Sequence, residues 1–227
     1  MSLLKIGRKP ATATTSLSEV DQRTVWRIAA FLLDYPTEHT MGMLPQLRAA
    51  SNELPAPSGP ALVAFLDHLE RTPWIALARE YVETFDMRRR SCLHLTYYAF
   101  GDTRKRGMAL LRFKHAYKMA GVTLGDHELP DHLAVVLEFA ATVDPVAGER
   151  LLSEHLPVIE LLRLSLHDAA SPYAGLLDAL CSTMPELTIP DRRRIAELAA
   201  QGPPDEDVGL EPFSMDPTMY TDAGGRR

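Results

Sequence analysis

The choice of aliphatic residues constrains the fold of this chain more strongly than any single motif. The 227 residues include 33 Leu and 27 Ala, but only 11 Val and 6 Ile. Leu and Ala favour helices, whereas the β-branched residues Val and Ile favour strands. We therefore predict an all-α fold, a single-domain bundle of about eight to ten helices, since one domain commonly spans about 100–200 residues.

Proline residues mark most of the predicted helix starts, because a proline at the first helical position removes an N–H that has no intrahelical partner there. A first helix is predicted from the capping signal of Ser18 and Asp21 to the residues before Tyr35-Pro36. A second helix is predicted at about 37–50, followed by a loop over 51–60. Later helices are expected to begin at Pro60, Pro73, Pro130, Pro145, Pro172 and Pro190.

The apolar stretch from Leu156 to Leu166 is too hydrophobic for a helix with one wet face, so it is predicted to be the central, buried helix. We assign 1–17 to a flexible basic arm, 18–202 to the helical domain and 203–227 to an acidic disordered tail. Two cysteines, the absence of a secretion signal and the absence of a long apolar run indicate a cytoplasmic protein.

The charges of the chain are unevenly distributed. Residues 88–118 carry nine basic and one acidic side chain, a net charge of +8, whereas the remainder carries 15 basic and 29 acidic side chains, a net charge of −14. The basic segment is either a surface for an anionic partner or a solvated helix face neutralised by acids from elsewhere in the fold. Because the remainder is acidic and no nucleic-acid-binding motif occurs, nucleic acid is not an expected partner.

The densest polar cluster is Asp126-His127-Glu128-Leu129-Pro130-Asp131-His132. If Pro130 begins a helix, Asp131 lies in its first turn, where the helix dipole stabilises a carboxylate. That role does not explain the neighbouring Glu128 and His132. The spacing matches neither a zinc helix nor a calcium loop, so no metal site is expected.

Two further patterns each have two interpretations. His167-Asp168, with His132 and Asp191, is typical of metal-dependent all-helical phosphohydrolases, but a histidine at a helix end has a simpler structural role. Tyr81 and Phe85, four residues apart, either belong to the core or line a groove for a partner helix. Since no phosphate-binding glycine loop and no base-activated nucleophile occur, we predict no catalytic residues and no enzyme.

Two segments carry a family resemblance: LTYYAFGDTRKRGMALLRFKHAYKMAG, residues 95–121, and ELPDHLAVVLEFAA, residues 128–141. They resemble the nitrate reductase molybdenum cofactor assembly chaperones of the NarJ type, within the all-helical molybdoenzyme-specific chaperone group. The resemblance implies a dedicated, non-enzymatic chaperone that binds the N-terminal leader-like segment of the apo catalytic (alpha) subunit of a respiratory nitrate reductase. It also implies that the chaperone promotes insertion of the molybdopterin cofactor before membrane attachment. The chaperone itself would hold no cofactor permanently and would not insert into the membrane.

The resemblance also assigns roles to residues. The Glu-Pro-Asp-His-like motif of the group matches Glu128, Pro130, Asp131 and His132 with Leu129 inserted, and its aromatic-x-x-Leu-Phe motif matches 81–85 with Thr84 in place of Leu. It implies that aromatic side chains line the groove and that acids attract basic residues of the leader. Because the unperturbed pKa of histidine is about 6.5, we also expect His132 to make leader binding depend on pH. The implied peptide-binding residues are Tyr81, Phe85, Tyr97, Glu128, Asp131 and His132.

The basic segment is not expected to bind a leader that is itself basic. Arg104, Lys105 and Arg106 are instead expected to face an anionic partner, either an acidic surface of the reductase subunit or the phosphate-bearing cofactor. Proteins that deliver the molybdenum cofactor are further expected partners.

Overall fold

The computed structural model describes residues 17–101, 103–125 and 128–202. These residues form twelve α-helices and no strand, so the prediction of an all-α fold is confirmed. The helices are α1 (Glu19–Leu32), α2 (Glu38–Gly42), α3 (Leu44–Glu53), α4 (Ser58–Arg71), α5 (Trp74–Tyr81), α6 (Tyr97–Phe100), α7 (Arg104–Met119), α8 (Leu133–Thr142), α9 (Pro145–Glu154), α10 (Leu156–Asp168), α11 (Tyr173–Cys181) and α12 (Ile189–Gln201).

The arm expected at 1–17 falls outside the described residues except for its last residue, and the tail expected at 203–227 falls outside them entirely. Asp126 and His127 of the polar cluster also lie outside them. Among the described helices, none is both long and apolar enough to cross a membrane.

The first helices show where local sequence decides the structure. The Ser18 side chain accepts a hydrogen bond from the backbone N–H of Asp21, whose side chain bonds back, so α1 begins with the predicted capping box. The helix predicted at 37–50 is two helices. A second capping box at Thr37 and Thr40 begins the short helix α2, which ends at Gly42, and α3 begins at Leu44 with Pro45 in its first turn. Short helices such as α2 and α6 raise the number of helices above the predicted eight to ten.

The loop expected over 51–60 is only four residues long, 54–57, because α3 and α4 extend into it from both sides. The start of α4 approaches the end of α3 closely. A Cβ at Gly59 would lie 2.2 Å from the carbonyl oxygen of Leu54, so only glycine permits this approach.

The prediction that Pro130 begins a helix is wrong. Helix α8 begins at Leu133, and Pro130 lies in a turn before it. Asp131 is therefore not a residue of the first turn of a helix. The other five prolines lie at the start of α4, α5, α9, α11 or α12, or immediately before it.

The core forms between helices that are distant in sequence. Helix α1 packs against α8, α4 against α11, and α10 against both α11 and α12. Seven of the 13 residues of α10 are buried, but so are seven of the ten residues of α8, so α8 is the more completely buried helix. Helix α9 approaches α8 at Gly148, where a Cβ would lie 2.4 Å from the Cβ of Ala140.

Candidate functional site

Asp131 is the centre of a polar cluster inside the protein. Its side chain is 0% exposed, and its Oδ2 accepts hydrogen bonds from the backbone N–H of Thr96 at 3.1 Å and from the Thr96 hydroxyl at 2.5 Å. The Nδ1 atom of His94 lies 3.4 Å from the other carboxylate oxygen, and Nη2 of Arg106 lies 3.8 Å from Oδ2. A buried carboxylate needs such partners, because transfer of an unpaired ion from water to the protein interior costs on the order of several kcal/mol.

The backbone around Asp131 is also fixed by hydrogen bonds, most of them to the segment that contains His94 and Thr96. The N–H of Leu95 donates to the carbonyl of Asp131 at 3.0 Å, and the N–H of Leu133 donates to the carbonyl of Leu93 at 2.9 Å. These bonds form a single antiparallel bridge between His94 and His132. The hydroxyl of Tyr117 on α7 donates to the carbonyl of Pro130 at 2.7 Å. The segment 128–133 is thus fixed both to the chain before α6 and to α7.

Two titratable groups of this segment, Asp131 and His132, have shifted pKa values. Burial alone would raise the pKa of the Asp131 carboxyl, but the adjacent His94 side chain and the hydrogen bonds from Thr96 lower it to about 2. Burial and the nearby His94 lower the pKa of His132 to about 4, against the smaller opposing effect of Asp34 and Asp131. Because His132 is then neutral at physiological pH, the structure does not favour it as a pH sensor in that range.

A groove of about 590 Å³ opens beside this segment, between α1, the end of α7 and α8. Its floor is apolar and its rim carries carboxylates. The apolar lining includes Phe31, Leu124, Leu129, Val135, Phe139 and Val143. The polar lining consists of Asp34, His94, Glu128, His132 and Glu138, together with the ring of Tyr117.

One of the three carboxylates is already paired. Glu138 forms an ion pair with Arg27, whose guanidinium carbon also lies 4.7 Å from the centre of the Phe31 ring. Asp34 and Glu128 are exposed and form no ion pair with any other described residue. The rim therefore presents unneutralised negative charge above an apolar floor.

The structure brings together only part of the expected peptide-binding set. Glu128 and His132 line the groove, but Asp131 lies beneath it with no exposed surface, so its carboxylate does not contact a docked ligand. Its role is to position the groove wall through Thr96 and the backbone. The expectation that Asp131 attracts a basic peptide directly is therefore wrong.

The aromatic pair belongs to the core. Tyr81 and Phe85 are each 6% exposed, and their ring centres lie 5.0 Å apart. The Phe85 ring also lies 4.7 Å from the ring of Tyr173, and the Tyr81 hydroxyl donates to the carbonyl of Leu33 at 3.2 Å. Burial raises the pKa of the Tyr81 hydroxyl. Neither side chain lines the groove, which corrects their assignment as groove walls.

The remaining predicted residues lie around α7. The Arg106 guanidinium carbon lies 5.6 Å from the centre of the Tyr97 ring, and Arg106 Nε donates to the Thr96 hydroxyl at 3.3 Å. Arg106 is thus part of the Asp131 cluster rather than a surface for an anionic partner. Tyr97 supports that cluster and does not line the groove. Arg104 and Lys105 are exposed.

Sequence reasoning missed three of the groove residues: Phe31 and Asp34 of the α1 region, and Glu138 of α8. Glu138 had a local signal, since it is an acid within an otherwise apolar helical segment, LAVVLEFAA. Asp34 had no local sequence signal beyond its position before Tyr35-Pro36. Their proximity depends on the packing of α1 against α8, which is not encoded locally.

The residues proposed for a metal-dependent hydrolase do not form a site. Nε2 of His167 lies 2.9 Å from Oδ1 of Asp178, and Asp191 caps α12 through Thr188. In the parts of the chain that the structure describes, no three His, Cys, Asp or Glu side chains are grouped so as to hold a metal ion. The structure therefore gives this alternative no support.

Comparison with known proteins finds relatives over most of the described chain. Nitrate reductase-like protein NarX of Mycobacterium tuberculosis is 43% identical over 159 residues, which are 70% of this chain but 24% of NarX. The nitrate reductase molybdenum cofactor assembly chaperone NarJ of Escherichia coli is 33% identical over 67% of this chain and 66% of its own length. The protein named NarJ in Bacillus subtilis is 29% identical over 76% of this chain and 95% of its own length.

The fold has a solved counterpart. A crystal structure described as a redox enzyme maturation protein from Archaeoglobus fulgidus superposes with a TM-score of 0.54 and 19% identity, over 78% of this chain and 95% of that one. At this identity the likeness shows a common fold. The family model described as nitrate reductase delta subunit matches residues 51–179, more than half of the chain. The chain therefore belongs to the nitrate reductase delta subunit family.

Proposed function

We propose that this chain is a dedicated, non-enzymatic assembly chaperone for a respiratory nitrate reductase in the cytoplasm. The family and the names of the two NarJ relatives support this proposal, since those names describe molybdenum cofactor assembly chaperones. In this role the chaperone holds the apo catalytic subunit until its molybdopterin cofactor is inserted and the complex is ready for membrane attachment. The cofactor belongs to the client, and proteins that deliver it are further partners.

The client segment is the basic, N-terminal leader-like part of the catalytic subunit, docked as an amphipathic helix. The observation that carries this proposal is the groove with an apolar floor and the unpaired acids Asp34 and Glu128 at its rim. A helix that docks by its apolar face buries residues at i, i+3, i+4 and i+7, while basic residues beside that face meet the rim. A groove of this chemistry disfavours acidic and uniformly polar segments.

Titration of a fluorescently labelled leader peptide tests this proposal. Asp34→Lys and Glu128→Lys together should weaken binding at least about tenfold, because both carboxylates are exposed and each substitution turns attraction into repulsion. Leu129→Ser should weaken binding by removing apolar contact. The matched control is Glu149→Lys, which reverses an exposed acid on α9 away from the groove.

Affinity should also fall as salt is added, since the rim acids are accessible to solvent. Equal affinities of the wild type and the Asp34→Lys/Glu128→Lys protein would remove the groove as the client site. The chaperone role itself is tested separately, by copurification of the apo catalytic subunit from nitrate-respiring cells.

A further inference from the structure

Helix α7 has apolar residues on two opposite faces. Phe113, Ala116 and Tyr117 are buried against the rest of the protein. On the other side, Met108 is 69% exposed, Leu111 is 53% exposed and Met119 is 74% exposed. With His115 between them, these residues follow one another at spacings of three and four, so they form a single stripe along the helix. We call these four residues the outer stripe.

Basic side chains border the outer stripe on both sides. By helical periodicity Lys105 and Arg112 lie along one border, and Lys114 and Lys118 along the other, with Arg104 at the end of the stripe. The sequence has no acid between Thr103 and Gly121. Arg112 pairs with Glu154, whereas Arg104 and the three lysines form no ion pair with any other described residue.

We propose that the outer face of α7 docks on the surface of an anionic lipid membrane. A flat surface laid against this face of α7 would contact the outer stripe and both rows of basic side chains at the same time. Methionine and leucine side chains can enter the boundary between headgroups and acyl chains, while lysine stems extend along it and keep their ammonium groups among the phosphates. The helix then lies on the membrane without spanning it.

Two features favour a lipid surface over the other anionic partners. A small phosphate-bearing molecule makes no use of three exposed apolar side chains. A membrane offers negative charge continuously, on both sides of an inserted apolar stripe. It therefore matches a stripe with basic side chains on both sides, of which Arg112 is paired with Glu154. The net charge of −14 outside 88–118 repels an anionic surface, so this face alone would approach it.

The proposed membrane face and the groove lie on opposite sides of the same helix. Tyr117, which lines the groove, is on the buried face of α7, about 10 Å across the helix from the outer stripe. Docking through the outer stripe therefore leaves the groove accessible. This inference does not depend on what the groove binds.

Cosedimentation of the full chain with lipid vesicles tests the proposal. Vesicles of equal parts phosphatidylglycerol and phosphatidylcholine should bind the protein at low salt, and vesicles of pure phosphatidylcholine should not. Lys105→Glu, Lys114→Glu and Lys118→Glu together should lower the affinity about 100-fold, since each base near an anionic surface contributes severalfold. The matched control, with the exposed Arg150, Arg192 and Arg193 all changed to Glu, makes the same change in net charge and should retain most of the binding.

A second variant separates insertion from charge attraction alone. Changing Met108, Leu111 and Met119 to Ser keeps every charge and should still reduce vesicle binding at least about tenfold. All substituted side chains are exposed, and circular dichroism checks that each variant is folded. Absence of binding to the phosphatidylglycerol vesicles would overturn the proposal. So would equal losses in the two triple-glutamate proteins, or unchanged binding of the serine variant.

Discussion

Asp131 and Thr96 are 35 positions apart in sequence, yet one carboxylate oxygen of Asp131 accepts both the backbone N–H and the hydroxyl of Thr96. This pairing joins the chain before α6 to the chain before α8. It makes Asp131 a structural residue of the groove.

Asp131→Asn should lower the free energy of unfolding by about 2–4 kcal/mol, because the amide cannot replace a buried, charge-assisted acceptor. Thr96→Val removes one hydroxyl donor and should cost less, about 1–2 kcal/mol. Urea unfolding followed by circular dichroism measures both values. Glu149→Gln, at an exposed site, serves as the control, and a cost for Asp131→Asn no larger than that of this control would contradict the assignment.

The lowered pKa of His132 predicts a loss of stability on mild acidification. A histidine whose pKa is about 4 in the folded protein and about 6.5 when unfolded binds its proton preferentially in the unfolded chain. The free energy of unfolding should therefore decrease as pH falls from about 6.5 towards 4, by about 2 kcal/mol at pH 5.

His132→Gln should remove most of this decrease. His155, whose pKa is also lowered by burial, accounts for a further part, so His155→Gln provides the comparison. Denaturant titrations at pH 7 and pH 5 measure the effect. An identical pH dependence in the wild type and His132→Gln would show that His132 does not titrate as inferred.

Phe85→Ala should behave as a core substitution. Its ring packs between Tyr81 and Tyr173, so its removal should lower the free energy of unfolding by about 3–5 kcal/mol. Peptide affinity per folded molecule should stay unchanged, because Phe85 does not line the groove. Thermal unfolding and peptide titration at low temperature measure the two quantities, and a tenfold loss of affinity in folded protein would restore Phe85 to the binding site.

Arg27→Ala should strengthen binding of a basic peptide. Arg27 neutralises Glu138 and lies over Phe31, so its removal frees a third carboxylate and uncovers part of the apolar lining. We expect a gain in affinity of about threefold to tenfold at low salt. In Arg27→Ala/Glu138→Ala most of the gain in affinity should disappear. Weaker peptide binding by Arg27→Ala alone would contradict the inference that Arg27 occupies a carboxylate and an aromatic ring that the peptide could contact.

Two glycine substitutions should have opposite effects. At Gly148 a Cβ would lie 2.4 Å from the Cα and Cβ of Ala140, so Gly148→Ala should force α9 away from α8 and cost about 1–3 kcal/mol. At Gly175, in α11, a Cβ would meet nothing within 4 Å, and Gly175→Ala should be neutral or stabilising by up to about 1 kcal/mol. Melting temperatures measure both. A stabilising Gly148→Ala would show that the two helices can separate without loss.

The helices were predictable because their signals are local. Capping at Ser18 and the prolines before α5 and α11 depend on neighbouring residues only. The place of Asp131 was not predictable in the same way, since a carboxylate beside a proline is typical of a helix start and its burial depends on a segment 35 positions away. Likewise, the groove needs α1 beside α8, so its sequence signal was limited to Glu128, His132 and the single acid Glu138 in an otherwise apolar segment.

The wall formed by 128–133 has no helix until its last residue, yet bonds to Leu93, Thr96 and Tyr117 fix it. If a loop became ordered only when its ligand bound, the conformational entropy that the loop lost would weaken the free energy of binding. In this protein the wall is ordered when the chain folds, so binding of the proposed client segment should cost mainly the conformational entropy of that segment. Differences in affinity among client sequences should then reflect how readily each forms a helix beforehand.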